Sequence, residues 1–225
     1  MVNINQNTVS AENQMINSSE ISFLGDPNAP IKILVLGNSI TRHGPNAEIG
    51  WYGDWGMAAS APEKDYVHRL YKKLEHECKS VYMRIRQAAY WERHFREKDV
   101  FSYFTEDRDF SADFIIYRLG ENVPKDAKSE FGEYLPKFIE YLCPTHGRVL
   151  FTNCFWENPI VDEAIVLLAK ERGEDCINLC YTDESMMALG VFEHKGVSMH
   201  PSDFGMEMIA EKIFDALIEK YLISD

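Results

Sequence analysis

Apolar positions fall into short dense runs separated by longer amphipathic stretches. Ile31 to Leu36 is an almost unbroken apolar run closed by Gly37, the pattern of a strand buried on both faces. Phe114–Tyr117, Val149–Thr152 and Cys176–Leu179 predict similar strands, and Val81–Ile85 alternates like one. Helical spacing runs from Glu63 to Glu77 through Tyr66, Val67, Leu70 and Leu74, and again from Phe131 to Leu142, closed by Pro144 and Gly147. A third helix spans Asp162 to Arg172 and stops at Gly173. Ser202 or Asp203 can cap a last one running through Met208, Ile209, Ile213, Phe214, Leu217 and Leu222,. Residues 88–110 are rich in aromatic and charged residues and show no period. Residues 1–22, rich in Asn, Ser and Gln, read as a loose arm, and residues 23–225 as one domain. Five strands alternating with helices predict an α/β fold, a three-layer α/β/α sandwich on a five-stranded parallel sheet,.

Such sheets bind ligands at the carboxyl ends of their strands. Gly37-Asn38-Ser39-Ile40-Thr41 follows the first run, Gly120-Glu121-Asn122 the third, and His200-Pro201-Ser202-Asp203 stands beyond the fifth. A hydroxyl, an amide and an imidazole on one rim are the parts of an acyl-transfer site. Ser39 would be the nucleophile, activated by His200 as general base; the plainer reading makes Ser39 a helix cap and His200 a surface residue. Asn122 could donate to an oxyanion, or simply stabilise the turn before Pro124. In the Gly- and Trp-rich segment Ile49–Ala59, Trp51 and Trp55 could stack on a sugar, cover an acyl chain or seal the core. Arg42, His43 and Arg118 would line the pocket or stand as exposed charge.

These three blocks resemble the SGNH hydrolases, the GDSL-like lipase/acylhydrolase family. Gly37-Asn38-Ser39 matches its Gly-Asp-Ser nucleophile block with Asn for Asp. Gly120-Glu121-Asn122-Val123 matches its Gly-x-Asn-Asp block through the Asn, and the final Asp-x-x-His block matches only at His200. The matches run in order over residues 31–215. The resemblance implies the flavodoxin-like SGNH fold, an acyl-enzyme on Ser39, an oxyanion donor at Asn122 and His200 as base. Two departures matter. Val197 stands where the family's acid would be, and Gln87-Ala88-Ala89-Tyr90-Trp91 lacks the Gly whose N–H serves the oxyanion. Glu193 is the candidate acid, with Asp183 and Glu184 farther back; otherwise a backbone carbonyl orients the ring and a Ser-His dyad operates.

Composition narrows the substrate. The 225 residues carry 23 Lys+Arg against 36 Asp+Glu, a net charge of −13 with no basic cluster. That charge disfavours nucleic acid and anionic membrane surfaces as partners. The longest apolar runs fall far short of the ~20 residues that span a bilayer. The first twenty residues lack the basic and apolar regions of a signal peptide, which predicts a cytoplasmic location. Five cysteines without a CxxC pair read as reduced thiols,. His194 and His200 lack a third ligand at zinc-like spacing, so no metal or cofactor is implied. The sequence therefore predicts a serine esterase whose partner is a small soluble ester such as an acetylated carbohydrate. Two other classes fit less of the pattern. One is a non-catalytic carbohydrate-binding SGNH-like domain; the other is a flavodoxin-like phosphate-binding module using the Ser39 loop.

Overall fold

A computed structural model describes residues 20–78, 80–143 and 147–219. Six strands form one sheet in the order β1-β3-β2-β4-β5-β6. They are β1 (Ile21–Gly25), β2 (Ile31–Gly37), β3 (Val81–Gln87), β4 (Phe114–Arg118), β5 (Arg148–Thr152) and β6 (Cys176–Ile177). The five strands β2 to β6 are parallel, as predicted. The sixth, β1, is an antiparallel edge strand on β3, with Phe23 opposite Arg84. Its residues 21 and 22 belong to the stretch expected to be a loose arm; residues 1–19 of that arm lie outside the described residues. Next to the strand, the buried Glu20 pairs with Arg86 at 3.1 Å.

The dense apolar runs are two-faced because strand side chains alternate. Leu34 and Leu36 of β2, Ile115 and Tyr117 of β4, and Val149 and Phe151 of β5 enter one core layer. Ile33, Val35, Ile116 and Leu150 enter the other. Helices α2 (Ala89–His94), α4 (Phe131–Leu142) and α5 (Pro159–Arg172) cover the first layer, with Trp91 stacked on Phe138 at 4.3 Å between centroids. Helices α1 (Tyr66–Cys78) and α7 (Asp203–Leu217) cover the second. The unperiodic stretch 88–110 holds α2, a 3-10 turn and α3 (Thr105–Asp109), elements too short to show a helical repeat.

Strand order reverses at β2, whose neighbours are β3 on one side and β4 on the other. The carboxyl end of β2 is therefore the point where the flanking connections diverge and a crevice opens. Gly37 ends that strand, and Ser39 lies two residues on. A Cβ at Gly37 would sit 1.6 Å from Thr41 Oγ1, so only glycine fits under the turn.

Candidate active site

The chain turns sharply after β2, with the N–H groups of Thr41 and Arg42 both donating to Asn38 O, at 2.9 and 3.0 Å. Thr41 Oγ1 is anchored on Tyr66 Oη at 2.7 Å, and Met57 N donates to Ser39 O at 2.9 Å. The next residue, Ala58, holds a left-handed backbone, φ 73°, in a buried position. A conformation that L residues avoid is sustained there by the surrounding packing.

From this turn Ser39 Oγ lies 2.8 Å from His200 Nε2, across 161 residues of sequence. His200 Nδ1 lies 2.7 Å from Gly196 O. A carbonyl can only accept, so Nδ1 carries the ring proton and Nε2 is the lone-pair face turned to the serine. The carbonyl is available for a local reason. Gly196 lies in the single-turn helix α6 (Lys195–Ser198). There Met199 N bonds to Lys195 O and His200 N to Val197 O, skipping Gly196 O. His200 O accepts from Ala188 N at 2.9 Å, and Ser202 caps α7 through Gly205 N. Backbone bonds on both sides thus fix the imidazole.

The ring is fully buried, with Trp156 packed against it in a T-shaped contact at 5.1 Å between centroids. Burial pushes its pKa down to about 3; the Gly196 carbonyl pulls upward, while His43 and Arg118 add to the depression. His200 is therefore neutral, and able to accept a proton, across the neutral range. Protein stability follows from the same shift. Between the unfolded value near 6.5 and about 3, the unfolded chain binds the proton and the folded chain does not,. His200 is thus expected to make thermal stability decline as pH falls below 6.5. A melting series of wild type and His200→Gln from pH 8 to 4 checks this, because the substitution should flatten that part of the slope.

Asn122 follows β4 and Gly120. Gly120 has φ +145°, and a Cβ there would lie 2.6 Å from Cys154 Sγ, so glycine is required. The Asn122 side chain is held at both ends: Nδ2 donates to Glu92 Oε2 at 2.6 Å, and Oδ1 accepts from Arg93 at 3.2 Å. Beside it stand Glu121, which the motif carries at its variable position, and Glu92, which no motif marks. Glu121 is held by Arg118 through two bonds of 2.9 Å and accepts from Phe155 N. Burial, and then the charge of Glu121, raise Glu92 above the usual carboxylate range, against the N–H groups that lower it.

Several expected roles are not what the geometry provides. Arg118 does not line a pocket: it is wholly buried, binding Glu121 and Asn38 Oδ1. Trp51 is buried, donating to His43 O at 2.9 Å and packing on Trp55 and Phe192, so it seals the core instead of presenting a face. Trp55, half-buried, donates to Ala59 O. Arg42 is engaged by Asp54 in two bonds. Glu193 is exposed, and the partner of His200 Nδ1 is Gly196 O in its place. Asp183 turns to Ser185 N, capping a short 3-10 turn. Val197 points into an apolar cluster with Trp51, Met57, Ala58 and Ala188, where a carboxylate would be stranded without a partner,. After β3, Ala88 N donates to Gly37 O and Ala89 N to Gln87 Oε1, so both N–H groups are occupied. Among the described residues Cys143, Cys154, Cys176 and Cys180 are free thiols; the side chain of Cys78 lies outside the described residues.

No protein-family model matches the sequence, and neither does any curated protein sequence. Solved structures do match in three dimensions. A lipase/acylhydrolase from Enterococcus faecalis superposes with a TM-score of 0.59 at 14 % identity, over 84 % of this chain and 96 % of that one. The fold is that of the SGNH hydrolases. A chain described as a GDSL-like lipase from Bacteroides uniformis gives a TM-score of 0.54 at 15 % identity, over 84 % and 96 %. A two-domain esterase active on acetylated mannans gives 0.51 at 18 % identity, over 84 % of this chain and 49 % of that one. The six-stranded sheet carries Ser39 just past β2, where its strand order reverses.

Proposed function

We propose that the protein is an SGNH-type serine esterase that forms an acyl-enzyme on Ser39. The observation that carries this reading is the Ser39–His200–Gly196 relay: a hydroxyl 2.8 Å from a neutral imidazole nitrogen whose opposite N–H is fixed on a carbonyl. A phosphate cradle behind β2 would need no imidazole from the other end of the chain. As Oγ attacks an ester carbonyl, its proton passes to His200 Nε2, and a tetrahedral intermediate carries the negative charge on the former carbonyl oxygen. One N–H of Asn122 is given to Glu92; the other is the donor assigned to that oxyanion,. His200 then protonates the departing alcohol from Nε2, water adds to the acyl group by the same relay, and free acid leaves. The carbonyl of Gly196 supplies orientation and a dipole in place of a full counter-charge, which makes this a Ser-His dyad.

The substrate reading is a small soluble ester, with an acetylated carbohydrate as the leading class. It is supported by the net charge of −13, unfavourable at anionic lipid surfaces,, and by the fold shared with an esterase active on acetylated mannans. Initial rates on p-nitrophenyl acetate, butyrate and octanoate, with acetate release from acetylated mannan alongside, test it. The acetyl ester should turn over fastest; faster hydrolysis of octanoate would refute the small-acyl assignment, and no hydrolysis of any would refute the esterase.

Asn122→Ala is expected to lower kcat about 10²-fold with KM nearly unchanged, because the oxyanion exists only in the transition state. Steady-state kinetics on the acetyl ester check it, and a loss confined to KM would make Asn122 a ground-state binding residue.

A further inference from the structure

Glu92 is a fully buried carboxylate that the proposed chemistry leaves unused. It gathers four N–H groups from two loops. Asn38 Nδ2, from the nucleophile turn, lies 3.2 Å from Oε1; Gly120 N and Asn122 N bond to the same oxygen, and Asn122 Nδ2 lies 2.6 Å from Oε2. We infer that Glu92 is the positioning residue of this site, locking the Asn122 amide in its oxyanion-facing orientation and requiring an amide at position 38. The inference rests on the esterase reading for the role of Asn122.

Two arguments carry it. First, a primary amide can turn over by exchanging its N and O, and the turned form would point an oxygen where a donor is needed. Here Oδ1 accepts from the cation Arg93 and Nδ2 donates to the anion Glu92. Turning it over would face donor with donor and acceptor with acceptor. Bonds to ionised partners are the stronger kind, and a donor fixed before the reaction needs no reorganisation when charge develops.

Second, Asn38 occupies the place where the resembling motif has Asp. Its Nδ2 donates to Glu92 and also, at 2.6 Å, to Glu121, while its Oδ1 accepts from Arg118 and Ile40 N. A carboxylate there would set a third negative charge within bonding distance of two others, inside a protein interior where like charges repel strongly. Arg118 already gives two of its bonds to Glu121. Asn38 and Glu92 are therefore a matched pair.

The test uses four full-length proteins: wild type, Glu92→Gln, Asn38→Asp and the double variant, with kcat and KM on p-nitrophenyl acetate and Tm for each. Glu92→Gln keeps the shape but turns an NH2 toward the Asn122 amide or the main chain. It should lower kcat at least ~10-fold with KM within about twofold, the split expected of a transition-state donor displaced from its place. Asn38→Asp should lower Tm by about 5 °C or more, a shift expected for a domain of this size on loss of one strong buried interaction. Adding Glu92→Gln should recover at least half of that shift. Wild-type kcat in Glu92→Gln, a loss confined to KM, or a double variant melting no higher than Asn38→Asp would overturn the inference. Should Glu92→Gln not fold, the wild-type protein decides by NMR. Asn122 side-chain amide protons protected at least ~10-fold from exchange uphold the lock, since bonded amides exchange only on opening; exchange at the solvent rate overturns it. Melting and exchange do not depend on turnover. An inactive wild type would therefore sink the esterase reading alone, leaving these two measurements to decide the inference.

Discussion

Ser39→Ala is expected to reduce hydrolysis of p-nitrophenyl acetate by roughly 10⁴-fold or more, to the rate set by whatever polar groups remain around the ester. The loss is large because no other hydroxyl replaces Oγ at the 2.8 Å contact with His200 Nε2. The same substitution should hardly disturb the fold. Ser39 is half-buried on a turn held by main-chain bonds to Asn38 O and Ser39 O. One neutral hydrogen bond is worth about 1 kcal/mol, or roughly 2–4 °C in Tm for a domain of this length. Activity and melting measured on one preparation separate chemistry from folding. Activity within tenfold of wild type in a folded Ser39→Ala would end the acyl-enzyme mechanism.

The second large effect concerns His200 and the carboxylates that precede it in the sequence. His200→Gln should cost about 10³-fold or more in kcat, since an amide at that place can still bond to Gly196 O but cannot accept the Ser39 proton,. Glu193→Gln, Asp183→Asn and Glu184→Gln should each stay within ~10-fold of wild type, because none of these side chains replaces Gly196 O at Nδ1,. The four kcat values, measured side by side from pH 5 to 9, distinguish dyad from triad. A thousandfold drop in one of the carboxylate variants would name the acid. The acid limb of kcat/KM should also fall well below 6.5, following the depressed pKa of the buried ring,.

The elements that a sequence reveals are those whose signal is carried by side chains in a regular array. Ile31–Leu36 could be read as a doubly buried strand because each residue faces one of two apolar layers. The helix expected at Phe131–Leu142 is found with those same bounds. Strand β1 was illegible: an edge strand is defined by main-chain pairing with β3, and its Phe23 is exposed, lying on Tyr82 at 5.3 Å. Within residues 88–110 the helices are one or two turns long, and Glu92, the most informative residue of the site, sits on one of them. A charged side chain in an unperiodic stretch looks like solvated surface until burial is known.

The site shows the same division. Ser39, Asn122 and His200 were legible because each stands just past a strand or at the head of a helix, in a fixed order. The orienting group for His200 was not, since it is a main-chain carbonyl, released by how α6 ends. Trp156, which walls the imidazole, follows β5 and was findable by asking what lies past that strand as well. Trp51 took the core-sealing place among those open to it, and Arg118 is neither pocket lining nor exposed charge, because pocket lining and core sealing use the same residue types. Only packing tells them apart: Trp51 meets Phe192, and Arg118 meets Glu121.

In the proposed mechanism Ser39 is a nucleophile activated by His200 without a carboxylate behind the ring. Intact-mass analysis after exposure to a fluorophosphonate tests it most directly, because only an activated serine reacts at an appreciable rate. One adduct per wild-type chain is expected, mapped to the peptide carrying Ser39 and absent from Ser39→Ala. Labelling should be slowed at least ~100-fold in His200→Gln and hardly changed in Glu193→Gln. No adduct at Ser39, or labelling of His200→Gln at the wild-type rate, would contradict it.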